Sequence, residues 1–161
     1  MLTKAILLAV MAIESGGNPN ALSSSGAAGL LQLTKIGAQE VCQQYGCEPG
    51  YDLFDPETNM RMGSQLLEFY LREANGDMLG MIVLYNSGYV GYQKYLRGEP
   101  LPAETEAYLT KFKHYRRYYA TLLYRLPEEL PNHYSLLDSA DLDDLFAPSL
   151  LIGPPNRGFG G

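Results

Sequence analysis

The chain contains no tryptophan, only two cysteines and only two histidines, and each scarcity closes a route to function. Protein-bound zinc and its relatives draw on clustered Cys and His ligands. Cys42 and Cys47 have no second cysteine pair and no histidine at ligand spacing. No metal and no cofactor are therefore expected. The two cysteines read as unpaired thiols, with a disulfide across a helix end as the alternative. Positive charge is also short, at 12 Lys+Arg against 18 Asp+Glu. Nucleic-acid binding needs a basic surface, so it is not expected. One basic run, Lys111, Lys113, His114, Arg116 and Arg117, reads as the solvated face of a helix. No apolar run is long enough for a bilayer: "AILLAVMAI", Ala5 to Ile13, falls far short of about 20 residues. It has the look of a signal peptide, but cleavage would strip the segment that presents Glu14. A buried core helix kept in the mature protein, with no export signal on this chain, is the expectation.

What is present is a globular composition, with 46% hydrophobic and 19% charged residues in 161. That length suggests one domain with a real core. The net charge of −6 is uneven. Residues 1–126 hold 12 acids and 11 Lys/Arg, a balance of −1, whereas 127–161 hold 6 acids and Arg157 alone, a balance of −5. The division is therefore a nearly neutral body, 1–126, and an acidic tail, 127–161, that ends in "GPPNRGFGG". The tail's composition suits a disordered or surface-draped segment. The functional alternative is a docking peptide within 132–161 that lays Leu137, Leu145 and Phe146 into a partner's groove.

The body reads as mainly α. Thr3 is placed to cap a first helix over about 4–15, apolar nearly all round and stopped by Gly16 and Gly17. Residues 23–34, "SSSGAAGLLQLT", suit a loop, a short hairpin or both. Thr34 caps a helix over about 35–44 that ends at Gly46. Asp55 with Pro56 opens a helix over about 56–74. Asp77 caps one over about 78–86, and Pro102 opens a long one to about 125. There is no internal repeat and no strand-like alternation beyond one small hairpin at most.

Glu14 stands at the end of the apolar first helix, just before "SGGNPNA". Desolvation penalises a charged carboxyl, and the negative end of the helix dipole does the same. Such a Glu holds its proton near neutral pH and can donate it, as a glycosidase acid does. A solvated helix-end acid is the plainer reading of Glu14 alone.

Its surroundings change the balance. "ESGGNPNALSSSGAAGLLQLT" resembles the first signature of the soluble lytic transglycosylases of the goose-lysozyme-like superfamily. "DPETNMRMGSQLL", "LYNSG" and "LPAETEAYL" are similar to three later blocks, in the same order, so the resemblance covers about residues 5–112. It implies a lysozyme-like helical domain. It also implies cleavage of the β-1,4 bond between N-acetylmuramic acid and N-acetylglucosamine in peptidoglycan glycan strands, with a 1,6-anhydro ring on the product. Glu14 then matches the catalytic acid and base, and Ser15 a neighbour that helps orient it. Ser23 and Gln32 match sugar-contacting positions, and Tyr85 the tyrosine beside the acid, with Asn86 supporting its turn or touching substrate. Glu104 matches a second acid that holds substrate, and Tyr108 the tyrosine of that block, with core packing as its alternative. With substrate assistance one Glu suffices, and Asp55 reads as a structural cap. Thr34 departs from the family, where Met often packs in the cleft floor. The basic run acquires a second reading, a weak contact with anionic wall polymer. Some of the 13 tyrosines can serve as sugar-stacking faces, though most pack.

A hydrolytic muramidase on the same fold, a non-catalytic structural virion protein and a wall-binding module are the competing readings. A substrate outside the cytoplasmic membrane calls for delivery to the periplasm or wall. A phage particle is the expected carrier, with a phage lysis system or a secretion or conjugation machine as alternatives.

Overall fold

The computed structural model describes residues 2–125. The predicted division at 126/127 and the docking segment 132–161, with Leu137, Leu145 and Phe146, lie outside the described residues. Five helices follow one another: α1 Lys4–Glu14, α2 Lys35–Tyr45, α3 Pro56–Glu73, α4 Met78–Leu96 and α5 Ala103–Arg125. This is the mainly α, lysozyme-like architecture that the sequence suggests. Among the described residues there is no extended strand. The 23–34 segment is a compact loop with isolated bridges pairing Leu22 with Ala28 and Ala28 with Leu33.

The apolar run from Ala5 to Met11 is buried on all sides, which places α1 at the centre of the molecule. Each such side chain stabilises by about 1.5–3 kcal/mol when removed from water, so the run must be surrounded. α5 packs along it, with Thr105, Tyr108, Phe112 and Tyr119 turned inward at helical spacing. Thr3 caps α1 through its carbonyl, which accepts from Ile6 and Leu7, and its hydroxyl takes no part. Gly16 and Gly17 end α1 with φ of 62° and 85°, a backbone that glycine adopts at little cost. Asp55 caps α3 by accepting from the Thr58 N–H at 2.8 Å, and those bonds hold its carboxyl below the usual range. Thr34 likewise caps α2 by accepting from Gly37.

Two expectations are corrected. Cys42 and Cys47 are joined in a disulfide rather than left as free thiols, with Cα atoms 4.9 Å apart. Gly46, at φ 75°, turns the chain back at the end of α2 and brings Cys47 against Cys42. The helix expected to stop near 86 instead continues to Leu96. It passes a kink at Gly88, whose φ of 65° is non-helical, and then resumes.

Asn59 of α3 joins the loop to the helices. It is fully buried, and its carboxamide accepts from the Leu31 N–H at 2.8 Å. It also donates to the Ala28 carbonyl at 2.9 Å and the Leu53 carbonyl at 2.7 Å. Gly63, one turn further on, lets Leu31 seat on α3, since a Cβ there would lie 2.3 Å from the Leu31 Cδ1. Loop 28–31 is thereby fastened opposite the end of α1.

Candidate active site

The end of α1, the middle of α4 and the first turns of α5 enclose a cleft of about 250 Å3. Ile13, Glu14, Asn86, Glu104, Tyr108 and Lys111 line it, with Ala107. Glu14 is half-buried there. Burial pushes its carboxyl from 4.5 up to about 7, while a hydrogen bond from Tyr108 pulls in the other direction. The Tyr108 phenol donates to Glu14 Oε1 at 2.6 Å. Tyr108 is itself buried, and burial first, then the nearby Glu14, drives its phenol well above 10. Tyr108 thus combines core packing with a direct contact to the acid. No hydrogen bond is found on Glu14 Oε2 among the described residues, which leaves that oxygen for a ligand.

Tyr85 stands behind the acid. Its phenol is pushed far up by burial, with Glu14 and then Tyr70 adding to the shift. Its hydroxyl donates to the Leu31 carbonyl at 2.6 Å, and its ring meets the edge of Tyr70 with centroids 6.4 Å apart. Tyr85 therefore pins the loop beside Glu14 and is not part of the cleft wall. Asn86, the next residue, is. Glu104, in the first turn of α5, shares the cleft with Glu14.

The remaining candidates brace the scaffold. Ser15 donates to the Leu30 carbonyl at 2.7 Å and accepts from the Gly17 N–H at 3.1 Å, which ties the end of α1 to the loop. Any orienting effect on Glu14 passes through that tie. Ser23 accepts from the Ala27 N–H at 3.0 Å and pairs with Ser25 at 2.9 Å. Gln32, at φ 48°, donates to the Ala21 and Gly29 carbonyls, both at 3.0 Å. Ser23 and Gln32 sit in the loop and not in the wall shared by Glu14 and Glu104.

Sequence reasoning gave Lys111 only the basic run's weak contact with wall polymer, and it gave Asn59 no role. Lys111 lies three residues after Tyr108 and seven after Glu104, so helical spacing already puts it on their face. Asn59 sits within the resemblance as the Asn of the "DPETN" block. Its task shows only once the loop is folded against it. Among the described residues no group of three His, Cys, Asp or Glu is placed to hold a metal ion. No helix among them is long and apolar enough to cross a membrane.

Comparison with known proteins places this geometry. A family model described as Transglycosylase SLT domain matches residues 1–106. An 80-residue stretch is 40% identical to an endo-type membrane-bound lytic murein transglycosylase A of Salmonella typhimurium, covering 47% of this chain and 38% of that protein. The Salmonella enteritidis protein of the same description gives the same figures. The chain thus spans well under half the length of the curated relatives it matches. Among solved structures, the 70 kDa soluble lytic transglycosylase of Escherichia coli has a TM-score of 0.71 at 22% identity, over 88% of this chain and 24% of that one. An inactive mutant of the lytic transglycosylase Slt of Pseudomonas aeruginosa has a TM-score of 0.71 at 23% identity, over 86% of this chain and 25% of that one. At such identity the two structures establish the shared fold.

Proposed function

Because the chain belongs to the Transglycosylase SLT domain family, we propose that it is a peptidoglycan lytic transglycosylase with Glu14 as its single acid and base. The observation that carries the reading is the setting of Glu14: a carboxyl at a helix end, in a cleft, held near 7 by burial. A general acid is most effective when it titrates near the working pH.

The same carboxyl has two tasks. Protonated on Oε2, it gives its proton to the oxygen that bridges MurNAc and GlcNAc, and the bond from that oxygen to the muramoyl anomeric carbon breaks. The carboxylate left behind then takes the proton of the muramoyl 6-hydroxyl as that oxygen bonds to the anomeric carbon. The sugar closes as a 1,6-anhydro ring and Glu14 is protonated again, so no water is consumed. Burial favours the first task. The Tyr108 hydrogen bond supports the second, because it stabilises the ionised form. It also occupies Oε1, so the transferable proton belongs on Oε2. Glu104 and Asn86, across the cleft, are placed to hold the sugar's hydroxyl and acetamido groups.

The place of action is the cell wall. The test is digestion of purified peptidoglycan by the wild type and Glu14→Gln, with products read by mass spectrometry. Anhydromuropeptides from the wild type and none from the variant are expected. Reducing-end muramic acid would instead identify a hydrolytic muramidase, and no release by the wild type would leave a structural protein that retained the fold.

A further inference from the structure

α5 turns a cationic face to solvent. Lys113, His114, Arg116 and Arg117 are all exposed. At 3.6 residues per turn they fall within about 160° of one another, with Arg117 near the middle. Lys111, in the cleft wall, stands beyond the edge of that arc. Between Glu106 and Arg125 the helix has no acidic residue. The ion pair found among the described residues joins Arg97 to Glu99, so Lys113, Arg116 and Arg117 take part in none there. One edge of the face is concave, where His114, Arg117, Tyr118 and Thr121 line a hollow of about 300 Å3.

The helix dipole does not account for this placement. Its effect fades within about the last turn. Arg117 stands eight residues before the end of α5 at Arg125, more than two turns away. Cations crowded on one exposed face repel one another, so an anion laid along that face is favoured. The opposite charge stands further along the same chain. Asp138, Asp141, Asp143 and Asp144 fall within residues 138–144, which hold no Lys or Arg, and Leu142 is set among them.

We infer that residues 138–144 dock on this face of α5, so that the chain covers its own cationic helix. The aspartates meet Lys113, Arg116 and Arg117, and Leu142 enters the hollow beside Arg117. The reach is sufficient. Lys113 lies twelve residues, or about 18 Å, back along the helix from Arg125. The twelve residues from 126 to 137 span up to about 40 Å when extended. Tethering holds the segment at an effective concentration on the order of millimolar, so contacts that are weak one by one suffice together. An outside polyanion has the charge without the tether. The docked segment therefore keeps anionic wall polymer off this face. Arg116 and Arg117 can each take a carboxylate through two parallel N–H donors, and Lys113 acts as a point charge.

The test uses the full chain with Ser139→Cys carrying a nitroxide label. Cys42 and Cys47 are bonded to each other, so the label goes to residue 139 alone. Amide NMR should show residues 113–121 broadened by the label. The broadening should disappear when Lys113→Gln, Arg116→Gln and Arg117→Gln are added, none of which touches the lining of the catalytic cleft. It should also fade as salt rises from about 0.15 to about 1 M, where the Debye length shrinks from about 8 to about 3 Å. No broadening of α5, or broadening that survives the three substitutions, would overturn the inference. Broadening that weakens on dilution would place the segment on a second copy and overturn it too. Polyglutamate, an anion from outside, gives a second reading on unlabelled protein. Asp138→Asn, Asp141→Asn, Asp143→Asn and Asp144→Asn together should let it shift the α5 amides at about tenfold lower concentration than in the wild type, the scale of several exposed charge pairs. Equal concentrations would mean that the face is already open in the wild type, which overturns the inference.

Discussion

Two polar side chains hold the two halves of this molecule, and they are treated in opposite ways. Asn59, on the side of α3 and the loop, is 0% exposed and makes three hydrogen bonds, to Leu31, Ala28 and Leu53. Glu14, on the side of α1 and α5, has one hydrogen bond, from Tyr108, and a carboxyl displaced upward by burial. A satisfied buried amide is worth keeping for stability, and a poorly solvated carboxyl costs stability. In the proposed reaction the difference separates scaffold from chemistry: the loop half is built to stay in place, and the cleft half keeps one group ready to give up a proton.

The comparison can be broken from either side. The largest effect belongs to Glu14→Gln, which should lower turnover of peptidoglycan by about 10²–10⁴-fold, the usual scale for loss of a general acid. The fold should be intact by circular dichroism, since the new carboxamide can still accept from Tyr108. Asn59→Leu should do the reverse. It removes three bonds and leaves the Leu31 N–H and the Ala28 and Leu53 carbonyls unpaired in the interior. A loss of roughly 3–5 kcal/mol in urea unfolding is expected. Gly63→Ala sharpens the same side. Its new Cβ would press on Leu31 at 2.3 Å. Overpacking of this kind costs about 1–3 kcal/mol. Combined with Leu31→Ala, the total loss should be smaller than the sum of the two single losses, because the two residues share one contact.

Smaller effects follow. Replacing both Cys42 and Cys47 by Ser opens a loop with a sequence separation of 5. The loop-entropy relation puts the loss at about 2 kcal/mol, read as a lower unfolding midpoint with activity retained. Tyr108→Phe removes the group that pulls the Glu14 carboxyl down. The Glu14 titration should therefore move above 7, and the alkaline limb of the pH–rate profile should move up with it. Maximal turnover should fall several-fold, since the base form of Glu14 loses its donor. An alkaline limb that stayed in place or moved down would show that Tyr108 does not act on the carboxyl.

Much of this was legible in the sequence where the signals are local. Asp55-Pro56, Asp77 and the Gly16-Gly17 pair mark helix ends by their own backbone chemistry. The structure places ends at those positions. Glu14 alone read more plainly as a solvated helix-end acid, and it was the resemblance of the blocks around it that singled it out. Where a long-range contact decides, the sequence was silent or misleading. The helix expected to end near 86 passes the kink at Gly88 and resumes, with Gly91 and Tyr92 buried beyond it. Free thiols were the reasonable expectation for two isolated cysteines until Gly46 turned the chain back. Ser23 and Gln32 carry the family pattern, and the structure adds that their hydrogen bonds hold the loop. That task depends on which carbonyls the loop brings within reach, and no spacing rule encodes it.

The most direct measurement is the unfolding free energy of the wild type and Glu14→Gln across pH 4 to 8.5. A carboxyl raised from 4.5 to about 7 binds its proton more tightly in the folded state. Its stabilising contribution is therefore fully present below about 4.5, and it is lost as pH rises through about 7. The carboxamide of the Glu14→Gln variant does not titrate, so the variant should gain on the wild type across that window, by up to roughly 3 kcal/mol, and then hold a constant lead. A difference between the two proteins that stays flat from pH 4 to 8.5 would contradict a desolvated, proton-holding Glu14.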